Sequence, residues 1–284
     1  MHWMDVLSLA SALSLVALKI NVGLVSTLNE LVYVLRRPML LLRALGAICA
    51  IPATAAVGVA LVLPLEPAVK AGIVLMGLTP VQPLVPGKLL GVAARKELAH
   101  GIYIAMSVLA IGVMPVVFAI TARIVDREDR IGVALIAEKI VKGVLVPLAV
   151  GLVIRRLWPA FAERAAPWLK KVGLVLLVLA FAGIALSHLP VMLAMLGNGT
   201  LLAMVLVLVA SLAGGHLLAG PERDARVTLA IAAASRHPGL ALMISVGSSF
   251  DNSSIAPAIV LYTLAGIGVE AIYAHWLVRV PAPA

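Results

Sequence analysis

The sequence predicts an all-α integral membrane protein of about nine transmembrane helices, two of them discontinuous. Three observations carry this. Of the 284 residues, 63% are hydrophobic and only 12% charged, and the mean hydropathy is +1.13, whereas a soluble domain is nearer half apolar and a quarter charged. The apolar residues fall in runs long enough to span a bilayer, roughly 20 residues each. Two of those runs are broken by residues that lipid does not tolerate.

Nine runs read as spans: 6–27, 39–63, 68–90, 101–122, 133–154, 168–187, 190–217, 227–248 and 255–277. Charged or proline-rich interruptions separate them, among them Arg36-Arg37-Pro38, Pro64-Leu65-Glu66-Pro67, the 126–130 charge cluster, 155–167 and Gly220-Pro221-Glu222-Arg223. The N-terminus lacks the basic region of a cleavable leader, so the first run is expected to be a retained span. Cys49, the only cysteine, falls inside an apolar run and is expected to serve packing.

Charge sets the expected orientation. The net charge is +9, but the basic residues lie in short loops between apolar runs, which argues against nucleic acid and for the positive-inside rule. Loops after spans 1, 3, 5 and 7 and the C-terminus carry Arg36, Arg37, Arg95, Lys96, Arg155, Arg156, Arg164, Arg223, Arg226 and Arg279, whereas the other side interleaves its few basic residues with acids. The expected placement is the cell (inner) membrane, multi-pass, with the N-terminus outside and the C-terminus cytoplasmic.

The third span contains Thr79-Pro80-Val81-Gln82-Pro83-Leu84-Val85-Pro86-Gly87-Lys88, and the eighth contains Ser235-Arg236-His237-Pro238-Gly239-Leu240. Proline removes a helical hydrogen bond, and a charge at the bilayer centre costs roughly 3 kcal/mol or more. Each segment is therefore expected to be a helix broken around a polar cavity. The two run in opposite directions at corresponding places, which points to an inverted repeat with its site between the halves. The loop at 123–132 divides the chain into 1–123, a first repeat of four helices lacking its opening helix, and 133–284, a second repeat of five, within one membrane domain.

On these residues the chain resembles the bile acid:sodium symporter family, in a bacterial-type form. The resemblance rests on Leu35-Arg36-Arg37-Pro38, Ile51-Pro52-Ala53-Thr54, the proline-rich break of span 3, and the stretch from Ser235 to Ala241. It implies a mobile panel domain and a core domain whose two broken helices cross at the sodium and substrate sites. Sodium-using members carry Pro-Gly-Gly-x-x-Ser-Asn in the first crossover; its Ser and Asn align here with Gly87 and Lys88. Their second crossover has a Glu and a Gln-Asn, at the positions of Ala232, Arg236 and His237. A hard cation needs oxygen ligands, and an ammonium or guanidinium has no lone pair to give. The substitutions argue against sodium coupling, and Lys88 and Arg236 are expected in the space of the ions.

The expected function is a secondary active transporter of a small organic anion working by alternating access. A sodium-coupled organic-anion symporter using carbonyl ligands, and a non-transporting receptor or intramembrane enzyme, are the alternatives. Gln82, Gly87, Lys88, Ser235, Arg236 and His237 are the expected substrate-binding or coupling residues. Arg236 and Lys88 have a structural alternative, with their charges satisfied by carbonyls that broken helices leave free. His237 is the leading candidate for proton coupling, against a plain hydrogen-bonding role. Glu138 and Lys142, four residues apart, are expected as an ion pair or proton relay; Glu270, Lys19 and Asn21 are further polar groups at membrane depth. No cofactor is expected, and no metal ligands are assigned: the six histidines lack metal spacing. No nucleophile elbow or dinucleotide fingerprint is present. The expected partners are a small anionic substrate and the lipid bilayer; the sequence does not set the oligomeric state.

Overall fold

A computed structural model describes residues 3–92, 94–124, 133–245 and 252–279. Among them there is no strand, only an isolated bridge between Val81 and Arg236. In chain order the helices are α1 (Trp3–Val25), α2 (Leu28–Leu35), α3 (Pro38–Val62), α4 (Pro67–Leu78), α5 (Val85–Gly91), α6 (Lys96–Ile124) and α7 (133–157). There follow α8 (Pro159–Ser187), α9 (Leu189–Leu196), α10 (Thr200–Leu218), α11 (Arg223–Ala234), α12 (Pro238–Ser245) and α13 (Asn252–Arg279).

Five helices are long and apolar enough to cross a membrane unbroken: α3, and most or all of α6, α8, α10 and α13. The pair α1–α2 passes the same test together but bends by 81° between Leu9–Val25 and Leu28–Leu35. The bend follows from a capping box, in which Glu30 accepts the Thr27 backbone N–H at 3.0 Å and starts a new helix.

Three expectations change. The segment 28–35, read as loop, is the helix α2. The interruption at 155–167 is mostly helix, because α8 begins at Pro159 and carries Pro167 inside it; Ala162 and Ala166 bury themselves against Leu24 of α1, which holds that turn in place. The run at 190–217 divides into α9 and α10, where Gly199 adopts a left-handed φ of 75° that favours glycine. Residues 125–132 of the dividing loop, and 246–251 between the eighth and ninth expected spans, lie outside the described residues.

Two groups of helices emerge from the packing. α1 lies along α8 and α7, tied by the Asn21 side-chain amide donating to the Ala166 carbonyl at 2.6 Å. This is the panel. The remaining spans form the core, an apolar cluster running from Ala44 and Ile48 on α3 through Ile73 and Met76 on α4 and Ile102 on α6 to Leu229 and Ile259. On the face predicted cytoplasmic, Arg95 donates to Asp224 at 2.7 Å and to Glu222 at 2.9 Å, joining the ends of both broken helices.

Candidate functional site

Proline chemistry builds the crossing. α4 stops at Leu78 because Pro80 has no N–H to return to the Met76 carbonyl, four residues back. Pro86 sits in the first turn of α5, where its missing N–H costs nothing. α11 stops at Ala234, and Pro238 opens α12 and forces His237 out of helical geometry. The two unwound segments lie antiparallel. Gln82 donates its backbone N–H to the Ser235 carbonyl at 3.3 Å, and the His237 N–H reaches Thr79 Oγ1 at 3.2 Å.

Arg236 sits at the centre of this crossing, 2% exposed. Nε donates to the Met76 carbonyl at 3.3 Å. Nη1 donates to Ile48 at 2.8 Å and to Ala233 at 3.4 Å. Nη2 donates to Gly77 at 3.1 Å and to Thr79. A guanidinium has five N–H groups, and each meets a backbone carbonyl. Met76, Gly77 and Thr79 lie at the C-terminal end of α4 and Ala233 at that of α11, where helix dipoles are negative. Ile48 precedes Pro52 by four residues, so its carbonyl lacks the usual helical partner. All five N–H groups of Arg236 are thus engaged by backbone carbonyls, the arrangement named above as the structural alternative, and its charge acts on the cavity as a field.

Lys88 reaches from α5 to Glu270 of α13, with Nζ 2.5 Å from Oε2. Ser235 donates its hydroxyl to Glu270 Oε1 at 2.6 Å and accepts from Lys88 Nζ at 3.3 Å. The three side chains close a small network in which one cation meets one carboxylate. It borders a cavity of about 390 Å³ between core and panel. Gln82, Lys88, Arg236 and Glu270 form the polar wall, and Leu177, Val178 and Phe181 of α8 form the apolar one.

A second cavity of about 440 Å³ opens between α1, α5 and α8. Gly87 lines it, with Lys170 Nζ so near that a Cβ on Gly87 would lie 3.8 Å away. Lys96, Arg155 and Lys170 surround it, against the single carboxylate of Glu163. Deeper in, His100 meets the Ser26 hydroxyl at 2.7 Å and Glu30 at 3.4 Å.

Five of the six expected site residues, Gln82, Lys88, Ser235, Arg236 and His237, thus meet at the crossing, and Gly87 lines the adjoining cavity. His237 receives the Leu240 N–H on Nδ1 at 3.2 Å. Glu138 and Lys142 pair at 2.6 Å on an exposed face of α7, with side chains 53% and 73% exposed, and among the described residues no hydrogen bond or ion pair joins them to the crossing. Glu270 and Thr79 are the members that sequence reading did not assign to the site. Glu270 pairs with a residue 182 positions away, which no local pattern signals; Thr79, four residues ahead of Pro83 in the broken stretch, was within reach of the same argument as Gln82.

A sequence model of the sodium bile acid symporter family matches residues 12–187. The match runs from within α1 to the end of α8. It takes in Gln82, Gly87 and Lys88 and ends before Ser235. No curated protein matches the chain.

Proposed function

Because the chain belongs to the sodium bile acid symporter family, a family of transporters, and is a multi-pass membrane protein, we propose that it is a secondary active carrier of a small organic anion that operates without sodium. The panel, α1, α7 and α8, moves against the core, and the crossing is exposed to each side of the membrane in turn. The protein lies in the inner membrane with its C-terminus in the cytoplasm.

One observation carries this reading. Half-helix C-termini and unwound carbonyls are what broken-helix carriers offer to a coupling cation, and here a guanidinium occupies that set of carbonyls. Sodium needs those same oxygens. The Gly87 and Lys88 pair supplies none in its place, and Lys88 places its ammonium beside Glu270. The residues present do not fit a sodium ion, and no step is routed through one.

Anion selectivity follows from charge. Lys88 and Glu270 cancel, Arg236 adds one positive charge beside the cavity, and three cations against one carboxylate line the neighbouring vestibule. The N-terminal ends of α5 and α12 face the crossing and add positive potential.

Uptake into proteoliposomes tests the proposal, using labelled taurocholate and short mono- and dicarboxylates in sodium, potassium and choline buffers. At least one anion should enter at equal rates in all three. Uptake confined to sodium, or of cations only, would overturn it.

A further inference from the structure

Lys19 projects from the panel helix α1 and is 0% exposed. Its Nζ has no hydrogen-bond partner among the described residues. Its neighbour is the Tyr103 ring of α6, 5.1 Å to the centroid. His237 stands on the core side, 1% exposed, and its Nε2 likewise has no partner among the described residues. The two lie within electrostatic range of each other. One turn before Lys19, Leu15 packs on Gly239, two residues beyond His237.

Buried polar atoms without partners are few in native proteins, and each needs a reason. An amine shut away from water and anions is costly to charge, so in the closed arrangement it stands as the neutral base. The cations beside it are satisfied, Arg236 by carbonyls and Lys88 by Glu270. The exception lies on the boundary between panel and core, the surface that alternating access must part.

We propose that Lys19 and His237 form the proton-carrying site of the transport cycle. Parting of panel and core admits water to the pair. A hydronium then gives its proton to Lys19 Nζ or to His237 Nε2, an N–H bond forms, and water is left. Opening to the other side reverses the step, and closure keeps the pair dry between. The inference rests on the carrier reading for the movement of the panel. Among the described residues, Tyr103 faces the pair from α6 and Arg236 from the crossing. α7 and α8 turn Leu148, Gly151, Ala166 and Gly173 toward α1, and Lys139 of α7 donates to the Met243 carbonyl of α12.

The test needs no substrate. In a Cys49→Ala background, Leu177→Cys places a thiol in the cavity between panel and core, and Trp158→Cys, at the exposed junction of α7 and α8, corrects for thiol reactivity. Corrected maleimide labelling of Leu177→Cys should be about tenfold faster at pH 5 than at pH 8, as when one proton favours the parted state about tenfold. Lys19→Met and His237→Gln should each flatten that profile. Lys19→Met should also raise Tm, because an apolar side chain replaces an unpaired amine. A parent without a pH profile, or a profile unchanged in both variants, overturns the proposal; so does a lowered Tm in Lys19→Met with the profile intact, which marks a packing role. Failure of anion uptake would sink the carrier reading alone, since labelling reports on the panel directly.

Discussion

Arg236 donates to the Ile48 carbonyl at 2.8 Å, joining positions 188 residues apart. The contact exists because Pro52 cannot return an N–H to Ile48, so two prolines, Pro52 and Pro80, prepare oxygen atoms for one guanidinium. The helix breaks and the charge explain each other.

Removing that guanidinium should therefore act on stability first. Arg236→Ala leaves five carbonyls facing an empty space; Met76 keeps its donors from Thr79, and each buried group left unsatisfied costs about 1–3 kcal/mol. Thermal unfolding in detergent should show a large loss. Sodium should restore part of it in Arg236→Ala while leaving the parent protein unmoved, since carbonyl oxygens suit a hard cation. Equal sodium responses in both proteins would contradict the carbonyl-cage account.

The Lys88–Glu270 pair should behave as a coupled unit. Glu270→Gln should cost about 2–3 kcal/mol, below the roughly 3–5 kcal/mol of a fully buried pair, because Lys88 keeps 31% of its side chain exposed. Combining it with Lys88→Met should cost less than the sum, with a coupling energy of about 1–3 kcal/mol. A denaturation cycle over the four proteins measures this; additive losses would show that the contact contributes nothing.

Gly239 of the core lies close against Leu15 of the panel. An added Cβ would strike the Leu15 side chain, so Gly239→Ala should destabilise by about 1–3 kcal/mol through overpacking. Leu15→Ala alone should cost about 2–5 kcal/mol, and adding Gly239→Ala to it should cost little more. Additive losses would place the strain elsewhere.

Glu138→Gln and Lys142→Met should leave anion uptake and Tm unchanged. Both side chains are exposed on α7 and pair with each other, and exposed pairs contribute little. Lost uptake in either variant would restore the relay role that their spacing first suggested.

Much of the crossing was legible in the sequence because its signals are local. Three prolines within Thr79–Lys88 and the Arg-His-Pro run at 236–238 violate the chemistry of a lipid-facing helix wherever they sit. What they touch was not legible. The spacing of Arg236 gives its cost but not its five acceptors, which come from three helices, and Glu270 carries no mark of Lys88. The same limit explains α2 and the start of α8: a short stretch before Arg36-Arg37-Pro38 and a charged, proline-bearing one read as loops, yet Thr27 with Glu30 caps one helix and burial of Ala162 and Ala166 sustains the other. Lys19 was visible as a costly residue, while its lack of a hydrogen-bond partner among the described residues is a property of the packing alone.

The cage around Arg236 also bears on energetics. A cation bonded to its own chain cannot leave on either side of the membrane, so it stores nothing from an ion gradient. An anion carried with no compensating charge would then be driven outward by an inside-negative voltage, at about 2.3 kcal/mol per charge for each 100 mV. Accumulation would need a second mobile charge, and export would need none.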